Sequence, residues 1–146
     1  MFFVRVWGLG LGDGIFFFYL IDMPQAFSYK NLEVWQNSMR LVPLIYNLTN
    51  SFPDTEKYNL IVQMRRCVVS IPSNLAEGRT RMTTKEYFRF TNIAYASAAE
   101  LETQMEIIKS IELSQSPYFE EAYQLLQIIL KQLNSLLVSL EVKIKN

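Results

Sequence analysis

Histidine is absent from all 146 residues, and that absence excludes more chemistry than any motif adds. Without imidazole there is no Ser-His-Asp or Cys-His nucleophile, no H-E-x-x-H zinc helix, no His-bearing zinc deaminase site and no Glu-x-x-His di-iron bundle. Cysteine is almost as scarce. The lone Cys67 makes neither an intrachain disulfide nor a cysteine zinc site, and it sits in an apolar helical stretch, so a buried, inert thiol in a reducing, cytoplasmic setting is expected. Net charge is also missing: lysine plus arginine and aspartate plus glutamate both number 14, which argues against coating nucleic acid by bulk positive charge. Glu102 and Glu106 stand i, i+4 but lack a matching acidic pair on another helix, so neither a metal nor a cofactor is expected. These absences point to a protein that is not an enzyme. What is present is apolar character in half the residues, enough for one domain with a core.

Residues 1–22 differ from everything after them. Aromatics and glycines dominate, as in Phe2-Phe3, Gly8-Leu9-Gly10-Leu11-Gly12 and Phe16-Phe17-Phe18-Tyr19. No basic start or A-x-A-like site marks a signal peptide. The run Ile15 to Ile21 is far short of the roughly 20 residues a membrane span needs, and the glycines miss the G-x-G-x-x-G frame of a dinucleotide loop. The expectation is a short hydrophobic extension outside the fold, a misassigned start with Met23 as the natural first residue, and no membrane attachment.

From residue 23 to 146 the pattern is helical. Leu32, Trp35, Met39, Val42 and Tyr46 predict one face of a first helix over about Lys30 to Asn50, with Pro43 inside it. Ser51-Phe52-Pro53-Asp54 reads as a loop. Ile61, Met64, Val68, Ile71 and Leu75 then stripe a second helix, which carries Pro72 and is expected to stop at Gly78 in the left-handed C′ position. Both prolines are expected to kink their helices. Thr83 and Glu86 form a capping-box pattern ahead of a third helix with the seam Tyr87, Thr91, Ala94, Ala98, Leu101, Met105 and Ile108. Ser116 as N-cap and Pro117 in the first turn open a fourth, with the seam Ala122, Leu126, Ile129, Leu133, Leu136 and Leu140. Four amphipathic helices on short loops predict an all-α, antiparallel up-down four-helix bundle. Leu125, Ile128, Leu137 and Val138 broaden the last stripe, and Ala94, Ala96, Ser97, Ala98 and Ala99 make the third helix thin. Both features suit self-association or one wide core.

Zero net charge hides a polarised chain. Arg65, Arg66, Arg79, Arg81, Lys85 and Arg89 face only Glu77 and Glu86 between residues 65 and 89, whereas residues 90–121 hold six glutamates against Lys109. A base after a helix C-terminus is favoured by the dipole, but Lys85 and Arg89 open a helix, where positive charge is opposed. The six bases are therefore the candidate surface for an anionic partner, either a phosphate backbone or an acidic face of another subunit. Arg66, Asn74, Glu77 and Glu100 look like polar groups near the interior, with Arg66 expected to pair with Glu100 or Glu77 if buried.

The run from Gln63 through Arg65-Arg66-Cys67-Val68-Val69-Ser70-Ile71-Pro72-Ser73-Asn74-Leu75-Ala76-Glu77 to Gly78 resembles the family of 23S ribosomal RNA intervening sequence proteins. Tyr29 to Gln36, Lys85 to Phe90 and Ala99 to Gln104 support the likeness. The resemblance implies a four-helix bundle able to form homo-oligomers, pentameric rings among them. It also implies, from the related accessory variability determinant of diversity-generating retroelements, binding of RNA or DNA and of a reverse transcriptase through a basic surface. It brings no catalytic residue. This chain departs from the basic branch in being neutral overall. The intact mass of natively expressed protein is expected to start at Met23; a mass that includes residues 1–22 would defeat the reading of that segment as an artefact.

Overall fold

Ser28 opens the described part of the chain: its Oγ accepts a hydrogen bond from the Lys30 N–H and stabilises a 3-10 turn over Tyr29–Asn31. The computed structural model describes residues 28–56 and 59–146. The expectations about Met1 to Asp22 and a start at Met23 lie outside them. Leu32 is extended, and the first helix, α1, runs Glu33–Asn50. It starts three residues later than the apolar spacing suggests, because the turn uses up the first of them. A second 3-10 turn over Asp54–Glu56 leads to α2, Leu60–Thr80, then α3, Thr84–Ser110, and α4, Tyr118–Lys145. α1 and α2 continue through Pro43 and Pro72.

The helices close a square in which α1 packs on α2, α2 on α3, α3 on α4 and α4 on α1, with the α2–α3 seam the most extensive. Cross-helix bonds set the directions. Ser70 meets Ser97 and Cys67 meets Gln104 between α2 and α3, while Glu102 meets Gln127 and Glu106 meets Tyr123 between α3 and α4. Numbers rise on one helix as they fall on its neighbour, so α2 and α3, and α3 and α4, run in opposite directions; the all-helical, four-helix expectation holds.

The core lies along the common axis. Leu41, Ile45 and Leu48 of α1, Met64, Val68, Ile71 and Leu75 of α2, Leu101, Met105 and Ile108 of α3, and Leu126, Ile129 and Leu133 of α4 have no solvent exposure. Each such side chain contributes about 1.5–3 kcal/mol. The α3 seam is buried at all seven expected positions. The α1 face is not the expected one: Met39 and Tyr46 are exposed, and Leu32, Trp35 and Val42 are only half-buried. The buried seam is Val34, Ser38, Leu41, Ile45 and Leu48. Ser38 interrupts its apolar character, but its hydroxyl donates to the Val34 carbonyl, and neighbouring Thr49 donates to Ile45 in the same way. Such bonds within the helix remove the cost of burying a hydroxyl, so the polar residues conceal a core-facing stripe.

Gly78 does not stop α2. It is a buried helical residue, and α2 continues to Thr80 before Arg81 becomes extended as the C-cap. A Cβ at Gly78 would lie 2.7 Å from the Phe90 Cβ and 3.2 Å from Tyr87 Cδ2, so glycine is there for close approach of α2 to α3. The left-handed position falls instead on Glu112, φ 60°, after α3. The Leu113 N–H bonds to the Ile108 carbonyl at 2.8 Å and the Glu112 N–H to Lys109 at 3.3 Å, the paired bonds of a Schellman ending. At the start of α4, Ser116 Oγ accepts from the Tyr118 N–H at 3.4 Å, and Pro117 sits one place earlier than expected, at the N-cap.

Two opposite outcomes are expected in chemical denaturation. Gly78→Ala should destabilise by about 1–2 kcal/mol, because forcing the helices apart outweighs a propensity gain of about 1 kcal/mol. Glu112→Gly should stabilise by about 1 kcal/mol, since only glycine takes φ 60° without steric cost.

Candidate nucleic-acid interface

The α2–α3 connection is short because both helix ends are tied locally. The Arg81 N–H bonds back to the Gly78 carbonyl at 3.2 Å, and Thr83 Oγ1 accepts from the Glu86 N–H at 3.2 Å. With only Arg81 to Thr83 between the helices, Arg79, Arg81, Lys85 and Arg89 gather at one tip of the bundle. Their guanidinium groups lie against rings. Arg79 is 5.5 Å from the Tyr87 ring centroid, while Arg81 and Arg89 flank Phe90 at 5.0 and 5.3 Å. Each such interaction is worth about 0.5–1 kcal/mol at an exposed site and limits where the arginine can go.

The tip retains positive charge. Arg81 pairs with Glu77, and Arg89 with Glu86 at 3.4 Å, both pairs half in solvent. Exposed pairs of this kind hold about 0–1 kcal/mol and exchange readily for another anion. Lys85 is exposed and has no ion pair among the described residues. Among the described residues, the acids paired with these bases are Glu77 and Glu86. Tyr87 and Phe90 are buried, so they support the arginines rather than stack on bases; the Tyr87 hydroxyl has no hydrogen-bond partner among the described residues, and burial raises its pKa against the lowering effect of Arg79. That ring–arginine packing escaped the sequence reading. Its one signal was the alternation of Arg89 with Phe90 just after Arg79 and Arg81.

The other two candidate bases lie elsewhere. Arg66 is 15 residues before Arg81 on a continuous helix, about 22 Å along its axis. Arg65 is a structural clamp: Nε donates to Thr49 Oγ1 at 2.9 Å, Nη2 to Asn50 Oδ1 at 2.8 Å, and the guanidinium covers the Tyr46 ring. It ties the start of α2 to the end of α1. Arg66 is exposed and makes no ion pair among the described residues, so its expected pairing with Glu100 or Glu77 does not form. Glu77 is taken by Arg81, Glu100 accepts from Gln104 at 3.2 Å, and Asn74 donates to Ser70. Because all three charged groups reach solvent, nothing compels them to pair.

The acidic stretch of α3 is stitched to α4. Gln127 donates to Glu102 at 2.6 Å and the Tyr123 hydroxyl to Glu106 at 2.7 Å, which raises the Tyr123 pKa. Among the described residues no group of three or more His, Cys, Asp or Glu side chains is placed to hold a metal. Cys67 is buried and free; burial, then the nearby Glu100 carboxylate, push its thiol from 9.0 up to about 11. α4 is long and apolar enough to cross a membrane, and in this fold it supplies seven buried residues to the bundle.

The described helices make this a small all-helical bundle protein. Residues 30–135, which span α1 through most of α4, match the 23S rRNA-intervening sequence protein family, and the chain belongs to it. No curated protein matches the chain.

A raised thiol pKa has a definite sign. The folded chain keeps the Cys67 proton after the unfolded chain has lost it, so the stability present below about pH 9 is lost as pH rises through about 11. At pH 9, alkylation of native protein by iodoacetamide should be about fiftyfold slower than that of denatured protein, the fall in thiolate fraction that the shift implies. Equal rates would show an accessible thiolate.

Proposed function

We propose that this protein is a non-catalytic, self-associating bundle of the cytoplasm that uses its basic tip to bind the phosphate backbone of RNA or DNA. The observation that carries the reading is the arrangement of Arg79, Arg81 and Arg89 on two buried rings beside an exposed Lys85, next to the N-terminus of a 27-residue helix. Rings and caps hold the positive groups in place before a ligand arrives, and the helix start adds its own partial positive charge. Family membership supports a small helical protein and supplies no catalytic group. Interactions of this kind address phosphates, not base edges, so recognition is tolerant of sequence. A nucleic-acid enzyme such as a reverse transcriptase would be met through the same surface.

A second reading, assembly without nucleic acid, is favoured by the opposite charge of the two ends of α3. The basic tip of one subunit would then face the glutamates of another in a head-to-tail ring, for which the resemblance implies five members.

Fluorescence anisotropy against an RNA hairpin and an unrelated DNA duplex separates the two. Affinity should fall steeply with salt, and the Arg81→Ala, Lys85→Ala, Arg89→Ala triple variant should flatten the logarithmic salt slope by about 2–3, at roughly 0.7–0.9 for each phosphate no longer neutralised. A wild-type protein that leaves both probes unbound at low salt would leave assembly alone as the function.

A further inference from the structure

Ser70 and Ser97 meet hydroxyl to hydroxyl at 2.8 Å, and beyond them the outer sides of α2 and α3 leave two adjoining clefts. The first, of about 280 Å³, is lined by Gln63, Arg66, Cys67, Ser70, Ser97 and Glu100, none of them aliphatic or aromatic. The second, of about 360 Å³, shares Gln63 and Glu100 and adds Leu60 and Ile107 as apolar walls. The tip has no part in either.

The carboxylate common to both clefts is held in place. Gln104, only 6% exposed, donates Nε2 to Glu100 at 3.2 Å and to Cys67 Sγ at 3.6 Å, and the Cys67 thiol bonds to Glu100 in turn. Two bonds do not exhaust Glu100, because an ionised carboxylate offers about four acceptor positions. The carbonyl oxygen of the same Gln104 is buried with no hydrogen-bond partner among the described residues, and Gln104 lines the second cleft. An unpaired buried acceptor is costly, and a ligand N–H brought to it removes that cost. Across the first cleft, on α2, Arg66 makes no hydrogen bond or ion pair among the described residues. Ser70, by contrast, is already satisfied by Asn74 and Ser97. What the clefts offer a ligand is therefore one fixed carboxylate, one amide oxygen and one free guanidinium.

Most ligand classes meet an obstacle in this set. A phosphate or other plain anion is repelled by Glu100, and a metal ion by Arg66. A nucleobase is held by stacking, and among the described residues neither cleft has an aromatic wall. An apolar molecule would take water from both charges and return no hydrogen bond. A molecule that carries both charges itself satisfies both groups, and clefts near the lower end of the roughly 300–1,000 Å³ of drug-sized sites restrict it to a small one. We propose that these clefts bind a free α-amino acid, its carboxylate on Arg66, its ammonium on Glu100 and an aliphatic side chain against Leu60 and Ile107. Because Cys67 and Gln104 fix Glu100 before the ligand arrives, little ordering is left to do on binding. The site uses no tip residue and is independent of both nucleic-acid binding and self-association.

The test is calorimetric titration of the full chain with each standard amino acid at millimolar concentration, with circular dichroism to verify folding of the variants. Leucine and its aliphatic kin should bind. N-acetylleucine, which lacks the ammonium, and leucinamide, which lacks the carboxylate, should each bind at least about tenfold more weakly, the worth of one charge-assisted hydrogen bond. Arg66→Ala should weaken leucine by about the same factor and leave leucinamide unchanged, whereas Glu100→Gln should weaken leucine and leave N-acetylleucine unchanged. A merely structural role for either residue would weaken all ligands alike. The triple alanine variant of the tip should bind leucine like the wild type. If no standard amino acid binds, or if both analogues bind as well as leucine, the inference falls. Binding of polar amino acids in place of aliphatic ones would overturn the part given to Leu60 and Ile107. Nucleic-acid binding is decided separately by its own salt titration.

Discussion

Near the C-terminal end of α2, Gly78 presents bare backbone to Phe90 and Tyr87 of α3, and the close approach this permits governs much of the molecule. Helices that come so near can be joined by three residues. A connection that short leaves Arg79, Arg81, Lys85 and Arg89 nowhere to go but the tip, and the rings that pack against Gly78 are the same rings on which the three arginines lie. Further along the pair the approach is set by Ser70 and Ser97, hydroxyl to hydroxyl at 2.8 Å, and beyond them the clefts open. One glycine at one end and two serines in the middle thus set where the pair is tight, where it is charged and where it is hollow.

The fold was legible wherever apolar spacing was uninterrupted. The α3 seam, from Tyr87 to Ile108, is buried at every expected position, and its one polar member, Thr91, donates its hydroxyl to its own helix at the Tyr87 carbonyl. α1 was misread for the converse reason. It carries apolar residues on two adjacent faces, and the true core stripe is the one broken by Ser38. Periodicity weighs residue type and cannot see a hydroxyl satisfied four residues back. Glycine misled in the same manner. Gly78 looked like a helix stop and is a point of close packing, whereas the left-handed residue that ends α3 is Glu112, which nothing in its side chain announces.

The candidate site was half legible. Sequence found the six bases and the capped turn, but charge counting treats all arginines alike. Placement separates them into kinds. Arg65 is spent on Thr49 and Asn50 as a brace between helices, the tip arginines are propped on rings, and Arg66 stands in solvent beside Glu100 without touching it. The distinction depends on what α1 and α3 bring alongside α2, which is information about neighbours in space and absent from any local run of sequence. Part of the chain's polarity survives folding: Glu102 and Glu106 of α3 are bound to glutamine and tyrosine of α4, while Arg79, Arg81, Lys85 and Arg89, but not Arg65 or Arg66, collect at the tip.

The three-residue turn from Arg81 to Thr83 has one more consequence, for how such a protein changes over time. Arg81, Lys85 and Arg89 sit on the outside of a hairpin whose shape is decided by Gly78, Phe90, Tyr87 and the Thr83 cap. Their charges can be exchanged residue by residue without moving the scaffold beneath them. The residues that carry the tip's charge are not the residues that fill the core, so the charge can change while the core is kept.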